Sequence, residues 1–337
     1  MTSRKKIGIV TPCYNEEDTV AECHATVKAL FAGPLASYDY EHLFCDNCST
    51  DATLERLRVI AEADLNVRVI ANSRNFGAFR NMFNGTLAVG GDAIVPFLPA
   101  DLQDPPDLLP TFVQHWEAGY KVVYGIRANR EEFWLMRTMR QWFYKLVNHW
   151  SPFKIPQNAG EFQLIDRVVV ENLRAFDDHF PYLRGMIAYC GFDSIGVPYT
   201  WKKRGRGLSK STVSSLVEDG LNGLISFSMM PIRFALFAGF SMAVLSILTA
   251  LIMLIINLIY YRELAPPGIP LLTVSLFFFS GVQLFFIGLL GEYVLAIHAQ
   301  VRRRPLVIEQ ERVNFPMANP QPEQISPEKR TPADWEE

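Results

Sequence analysis

Two carboxylates and an amide fall within four residues at Asp101, Gln103 and Asp104, inside the segment AIVPFLPADLQDPP that runs from Ala93 to Pro106. Oxygen donors at that density suit a hard divalent cation such as Mg2+ or Mn2+. A solvated acidic turn is the competing interpretation of an isolated D-x-x-D. A second constellation is basic: Arg127, Arg130, Arg137 and Arg140. Guanidinium groups hold phosphate oxygens in bidentate pairs, although a solvated face beside anionic lipid has the same composition. A third set, Arg204, Arg206, Ser209 and Lys210, sits in a glycine-broken loop that could fold over a diphosphate.

The elements that must position these residues alternate along the chain. Ile7 to Val10 is a short β-branched run that ends at TPCYNEE, and helical spacing follows through Val20, Cys23, Val27 and Leu30. His42 to Cys45 and Val67 to Ala71 are predicted as strands, each with a helix after it. Ala93 to Leu98 is predicted as a buried strand and Lys121 to Tyr124 as a fifth. Alternating strands and helices imply an α/β fold with a mainly parallel, Rossmann-like sheet. Every polar motif follows a strand end, where open α/β sheets bind ligands. Further on, Glu131 to Trp150 is predicted as an aromatic, basic helix, Val168 to Phe176 as a helix and Tyr189 to Tyr199 as a strand pair.

Composition narrows the setting. The 337 residues carry a net charge of -3, which argues against bulk nucleic-acid binding. No charged residue occurs from Phe234 to Ile259 or from Gly268 to Gly291, and each run is long enough for a membrane-spanning helix, which takes about 20 residues. A buried helical hairpin in a soluble core is the alternative. Lys202, Lys203, Arg204, Arg206, Lys210 and Arg233 precede the first run, and Arg302, Arg303 and Arg304 follow the second. The positive-inside rule then places both termini and the large N-terminal region in the cytoplasm of an integral membrane protein. Ser211 to Met230 has the spacing of an amphipathic interfacial helix. The expected organisation is a sheet domain over 1–210, an amphipathic helix over 211–230, a two-helix anchor over 231–300 and a largely disordered cytoplasmic tail over 301–337. Arg4, Lys5 and Lys6 precede an apolar stretch that breaks at Thr11-Pro12, so no cleaved signal is expected. Cys45 and Cys48 form a lone C-x-x-C without a second pair, which argues against zinc.

Nine segments in order carry a resemblance: TPCYNEE, DNCSTDAT, NSRNFGAFRN, ADLQDPP, VVYGIRANREE, NAGEFQLIDR, LRGMIAYCGF, RGRGLSK and GEYVLAIHAQVRRRP. Together they resemble the family 2 GT-A glycosyltransferases, and among them the polyprenyl-phosphate group that includes dolichol-phosphate mannosyltransferases and bactoprenol glucosyltransferases. The resemblance spans Ile7 to Val307. It implies a nucleotide-sugar donor, a divalent metal and a polyprenyl phosphate acceptor in a membrane, in a protein whose relatives with this anchor assemble as homo-tetramers. Pro12, Tyr14, Glu16, Asp46 and Ala100 match donor-side positions, and Arg204 and Lys210 match the loop over the diphosphate. Asp101 and Gln103 match the metal positions of a D-x-D-x-Q pattern, with Pro99 where the first Asp usually stands. Asn47 replaces the family's usual second Asp after Asp46, and Glu161 stands where an Asp is usual. Arg127, Arg137 and Arg140 match the acceptor-phosphate side, and Asp101, Glu161 and Arg127 are the implied catalytic set.

The implied mechanism follows from the acceptor. A phosphate monoester has a second pKa of about 6, so its oxygen needs little general-base help. In-line attack at the anomeric carbon then inverts configuration. A UDP-linked donor is expected by analogy with bacterial two-span relatives. A processive polysaccharide synthase is a poorer match, because Arg140-Gln141-Trp142 does not form its usual Q-x-x-R-W. Transfer to a sugar hydroxyl and a non-catalytic nucleotide-sugar-binding membrane protein are the remaining alternatives.

Overall fold

The computed structural model describes residues 4–127, 159–176, 178, 181–200, 237, 239–241, 244, 248, 252, 269–302 and 304–315. The chain divides into two compact units, residues 1–110 with 307–337 and residues 111–306.

In the first unit, β1 (Lys6–Cys13), β2 (Asp39–Asp46), β3 (Val67–Asn72) and β4 (Ala93–Val95) form a parallel sheet in the order β4-β1-β2-β3. The helices α1 (Val20–Ala32), α2 (Thr53–Ala63) and α3 (Ala78–Ala88) supply the crossovers. Ile7, Ile9, Val10, Leu43, Phe44, Val69 and Ile70 are buried. Such near-continuous burial along parallel strands is what a sheet covered on both faces requires. Gly85 lets α3 approach closely, since a Cβ there would stand 2.6 Å from both Cys45 Sγ and Val10 Cγ1.

Three expectations need correction in this unit. The fourth strand ends at Val95 rather than Leu98, because Pro96 has no N–H to give the ladder. β1 extends past the expected Val10 to Cys13, with Pro12 opposite Cys45 and Cys13 opposite Asp46 in the parallel register. Residues 309–313, expected within a disordered tail, form β8 (Glu309–Val313), antiparallel to β3 on the sheet edge. A polar composition hid this strand, whose burial pattern alternates between half-buried and exposed positions as an edge strand allows.

In the second unit, β5 (Val122–Arg127) lies between β6 (Ala159–Asp166), antiparallel, and β7 (Ser194–Tyr199), parallel. The helix α4 (Leu109–Glu117) leads in from the first unit, and α5 (Arg167–Arg174) and α6 (Leu183–Tyr189) follow β6. Asp166 caps α5 by accepting a hydrogen bond from the Val168 amide and also accepts from Trp116 Nε1 at 2.8 Å and Lys121 Nζ at 2.9 Å. The strand pair expected over Tyr189 to Tyr199 is instead the end of a helix, a turn with Gly191 at φ 69, and one strand.

The helix α7 (Ile269–Val301) runs 33 residues and meets no charged residue before Glu292. Leu272, Leu276, Leu284 and Ile287 on it are 72%, 63%, 69% and 55% exposed, so it presents an uncovered apolar surface. Many of its side chains lie outside the described residues. Among the described residues, no helix is long and apolar enough to cross a membrane. The two-span anchor expected from the sequence is thus not shown. The helices expected over Glu131 to Trp150 and Ser211 to Met230 lie outside the described residues.

Candidate functional site

In the first unit the expected donor-side and metal residues gather at the carboxyl ends of β1, β2 and β4. The β1 and β2 exits are cross-braced. Asn15, at φ 55, takes the left-handed conformation that an asparagine tolerates. Its amide donates to Ser49 Oγ at 2.9 Å, and its side-chain oxygen accepts from the Thr50 amide at 2.7 Å. One residue on, the Glu16 amide donates to Thr53 Oγ1 at 2.8 Å, and Glu17 Oε2 accepts from the Ala52 amide at 3.0 Å. Glu17 thereby satisfies one of the orphan donors at the start of α2. The Glu16 carboxylate accepts from Thr19 Oγ1 at 3.0 Å, and Tyr14 is 36% exposed on the same loop.

Asp46 is buried, and its two oxygens accept from the Ser49 hydroxyl and the Ser49 amide at 2.5 and 3.1 Å. Burial raises its carboxyl above the usual range, while the bonds from Ser49 act in the opposite sense. Asp46 therefore supports the loop from beneath.

Past β4 the chain stays alongside β1 before it reaches the acidic residues: the Leu98 amide donates to Val10 O at 2.9 Å. Beyond it the chain turns tightly, with the Leu102 amide bonded to Pro99 O at 3.0 Å and Leu102 at φ 54. Asp101 Oδ1 accepts from the Gln103 amide at 3.3 Å, which aligns the carboxylate with its own turn. Ala100 and Asp104 are buried, whereas Asp101 and Gln103 are half-buried. The burial of Asp104 rules out a uniformly solvated acidic turn.

No group of three His, Cys, Asp or Glu side chains converges among the described residues. A single carboxylate with an amide cannot cage a cation. A carboxylate oxygen and an amide oxygen are donors that a hard divalent cation accepts alongside water and a diphosphate.

In the second unit the structure brings Arg127 and Glu161 to one end of the strand pair, since Ile126 is paired with Ala159. Arg127 Nε donates to Tyr199 Oη at 3.0 Å across the β5–β7 ladder. Two glycines make room for this contact. A Cβ on Gly125 would stand 2.6 Å from the Tyr199 ring, and one on Gly160 would stand 3.4 Å from Arg127 Nε. Phe162 packs edge-on against Tyr199 with centroids 6.3 Å apart. Glu161, beside Gly160, is half-buried. Arg137, Arg140, Arg204 and Lys210 lie outside the described residues.

Sequence reasoning missed two sets of residues. Tyr199 gave no signal, because its link to Arg127 exists only through strand pairing. Asn72, Asn75 and Asn81 fall within the marker segment NSRNFGAFRN, but nothing in that segment was assigned a bracing role. Their density, three asparagines in ten residues after a strand, could have suggested a network.

The Glycosyl transferase family 2 model matches residues 8–174. The chain is 35% identical over 304 residues to an SfII prophage-derived bactoprenol glucosyl transferase of Shigella flexneri, covering 90% of this chain and 97% of that protein. It is 33% identical to a prophage bactoprenol glucosyl transferase homolog of Escherichia coli K12, covering 90% of this chain and 98% of that one. Among solved structures, a mannosyltransferase from Pyrobaculum calidifontis in complex with GDP-Man and Mn2+ is 18% identical with a TM-score of 0.46, covering 90% of this chain and 88% of that one. A likeness that distant carries no argument about ligands.

Proposed function

The chain belongs to glycosyl transferase family 2 and is a glycosyltransferase; from that premise we propose that it transfers a sugar from a UDP-linked donor to a polyprenyl phosphate at the cytoplasmic face of a membrane. The observation that carries the acceptor is the length of the match to proteins named bactoprenol glucosyl transferase. A match of 304 residues in a chain of 337 cannot be confined to the sheet region and takes in the apolar runs. The membrane reading is further supported by the uncharged stretch of α7 and its exposed leucines.

The residues divide the work as follows. Pro12, Tyr14 and Glu16 line the donor side on the braced β1 loop, and Ala100 extends that wall. Asp46 supports it through Ser49. Asp101 and Gln103 would hold a Mg2+ or Mn2+ ion together with the donor diphosphate, and the bound cation would supply charge neutralisation of the departing nucleotide. Arg127, with Arg137 and Arg140, binds the acceptor phosphate, and Arg204 and Lys210 close over the donor. Glu161 is an orienting carboxylate beside Arg127. A phosphate oxygen of the lipid attacks the anomeric carbon as the bond to the nucleotide diphosphate breaks, so configuration inverts. No proton has to be removed from the nucleophile, because a monoester phosphate is largely dianionic at neutral pH.

Membranes carrying the protein, incubated with radiolabelled UDP-glucose or GDP-mannose and undecaprenyl or dolichyl phosphate, test this. The expected result is metal-dependent, chloroform-soluble label with a UDP-linked donor and an inverted anomeric centre. Label on a water-soluble acceptor alone, or retention of configuration, overturns the reading.

A further inference from the structure

Asn47 occupies the position where the sequence departs from the family's usual acid, and the structure places it at the junction of three strand exits. Its backbone amide donates to Cys13 O at the end of β1 at 2.9 Å. Its side-chain oxygen accepts from Asn72 Nδ2, at the end of β3, at 3.1 Å and from the Phe76 amide at 3.0 Å. Its Nδ2 donates to Asn75 Oδ1 at 2.9 Å, and that oxygen also accepts from the Gly77 amide at 2.9 Å just before α3. Asn72 Nδ2 continues the chain to Asn81 Oδ1 at 2.8 Å, and Asn81 Nδ2 closes it on Cys45 O at 2.8 Å. Asn47, Asn72 and Asn81 are 4%, 1% and 1% exposed, so the bonds among them and to Phe76 and Cys45 are shielded from water, while Asn75 and Gly77 lie at the exposed end of the network.

We propose that Asn47 is a positioning residue: its amide, acting as donor and acceptor at once, locks the loop 73–77 to the β1 and β2 exits and holds the nucleotide-binding wall preformed. This rests on the donor reading above. In this network neither a carboxylate nor an apolar side chain could make all of the bonds that Asn47 makes. An ionised Asp at 47 has no hydrogen for Asn75 and would set two acceptor oxygens face to face at a half-buried contact. Asn75 is different, since both of its side-chain bonds named here use the oxygen as acceptor. A carboxylate at 75 keeps them, and a methyl group loses them.

That asymmetry provides the test. Full-length protein in nanodiscs is titrated with UDP and Mn2+ by calorimetry, and amide hydrogen exchange is followed at Phe76 and Gly77 without ligand. Asn47→Asp is expected to weaken UDP binding by about tenfold or more and to remove protection at Gly77, whose acceptor Asn75 loses its tie to residue 47, whereas Phe76 keeps an acceptor oxygen. Asn75→Ala, at an exposed position that does not endanger folding, reproduces both losses, and Asn75→Asp restores both. Equal losses in Asn75→Asp and Asn47→Asp would show that negative charge near the donor matters rather than the amide, and would overturn the inference. Unchanged protection in Asn47→Asp and Asn75→Ala would overturn it as well. Wild-type protein that binds neither UDP nor GDP sinks the donor reading and this inference together, whereas normal wild-type binding with unaffected variants sinks this inference alone.

Discussion

Asn84 on α3 donates its side-chain amide to Glu309 Oε1, at the start of β8, at 2.7 Å, joining residues 225 positions apart. Glu309 also pairs with Arg312, and Arg58 of α2 reaches Glu311. Asn314 donates to Ala61 O and Val67 O, and Phe315 lies under the guanidinium groups of Arg68 and Arg312. The segment after α7 thus completes the sheet edge and ties down two helices of the first unit.

Deleting residues 307–337 exposes the β3 edge and removes these bonds. The apparent melting temperature in detergent should fall by about 5 °C or more, with increased aggregation. A truncated protein that melts like the full chain would show that β8 contributes nothing to stability.

Asp101→Asn keeps an oxygen for the Gln103 amide, so the turn survives while the negative charge is lost. Transfer should fall by about a hundredfold or more at saturating Mn2+, with unchanged melting behaviour. Turnover like that of the wild type would mean that the cation is held elsewhere.

Tyr199→Phe retains the ring that packs over Gly125 and against Phe162 but removes the hold on Arg127 Nε. Losing one hydrogen bond of this kind should raise KM for the lipid phosphate by about fivefold and leave KM for the donor unaltered. An equal rise for both substrates would argue that Tyr199 only stabilises the strand.

His42 is a buried residue of β2, and burial lowers its imidazole to about 3; its Nε2 shares a hydrogen bond with Thr11 Oγ1 at 2.9 Å. The folded-state value lies below the unfolded one, so the unfolded chain binds the extra proton as pH falls. Stability should therefore decline with acid between about pH 6.5 and about pH 3. In His42→Asn the acid limb of a melting-temperature profile should be shallower than in the wild type. Identical slopes would remove His42 as a source of acid sensitivity.

Parallel strands buried on both faces were legible because their apolar runs are continuous and end at proline or polar clusters. For the same reason Pro12, Asp46 and Asp101 could be placed at strand exits. β8 was not legible: EQERV is polar, and a strand whose partner lies more than 200 residues away has no local signature. The extent of the β4 strand was overestimated because an apolar run continues through Pro96, which lacks an N–H and interrupts the regular ladder.

By itself, then, the sequence determined the order of elements, the family and the residue types available at the strand exits, since these follow from periodicity and motif spacing. Only the tertiary structure decided how those residues are used. It buried Asp46 and Asp104 while leaving Asp101 half-exposed, because depth depends on what packs above a turn. It joined Arg127 to Tyr199 and made Asn47 an internal brace between three strands. Hydrogen bonds between side chains distant in the chain come into being only when strands pair, and no local pattern announces them.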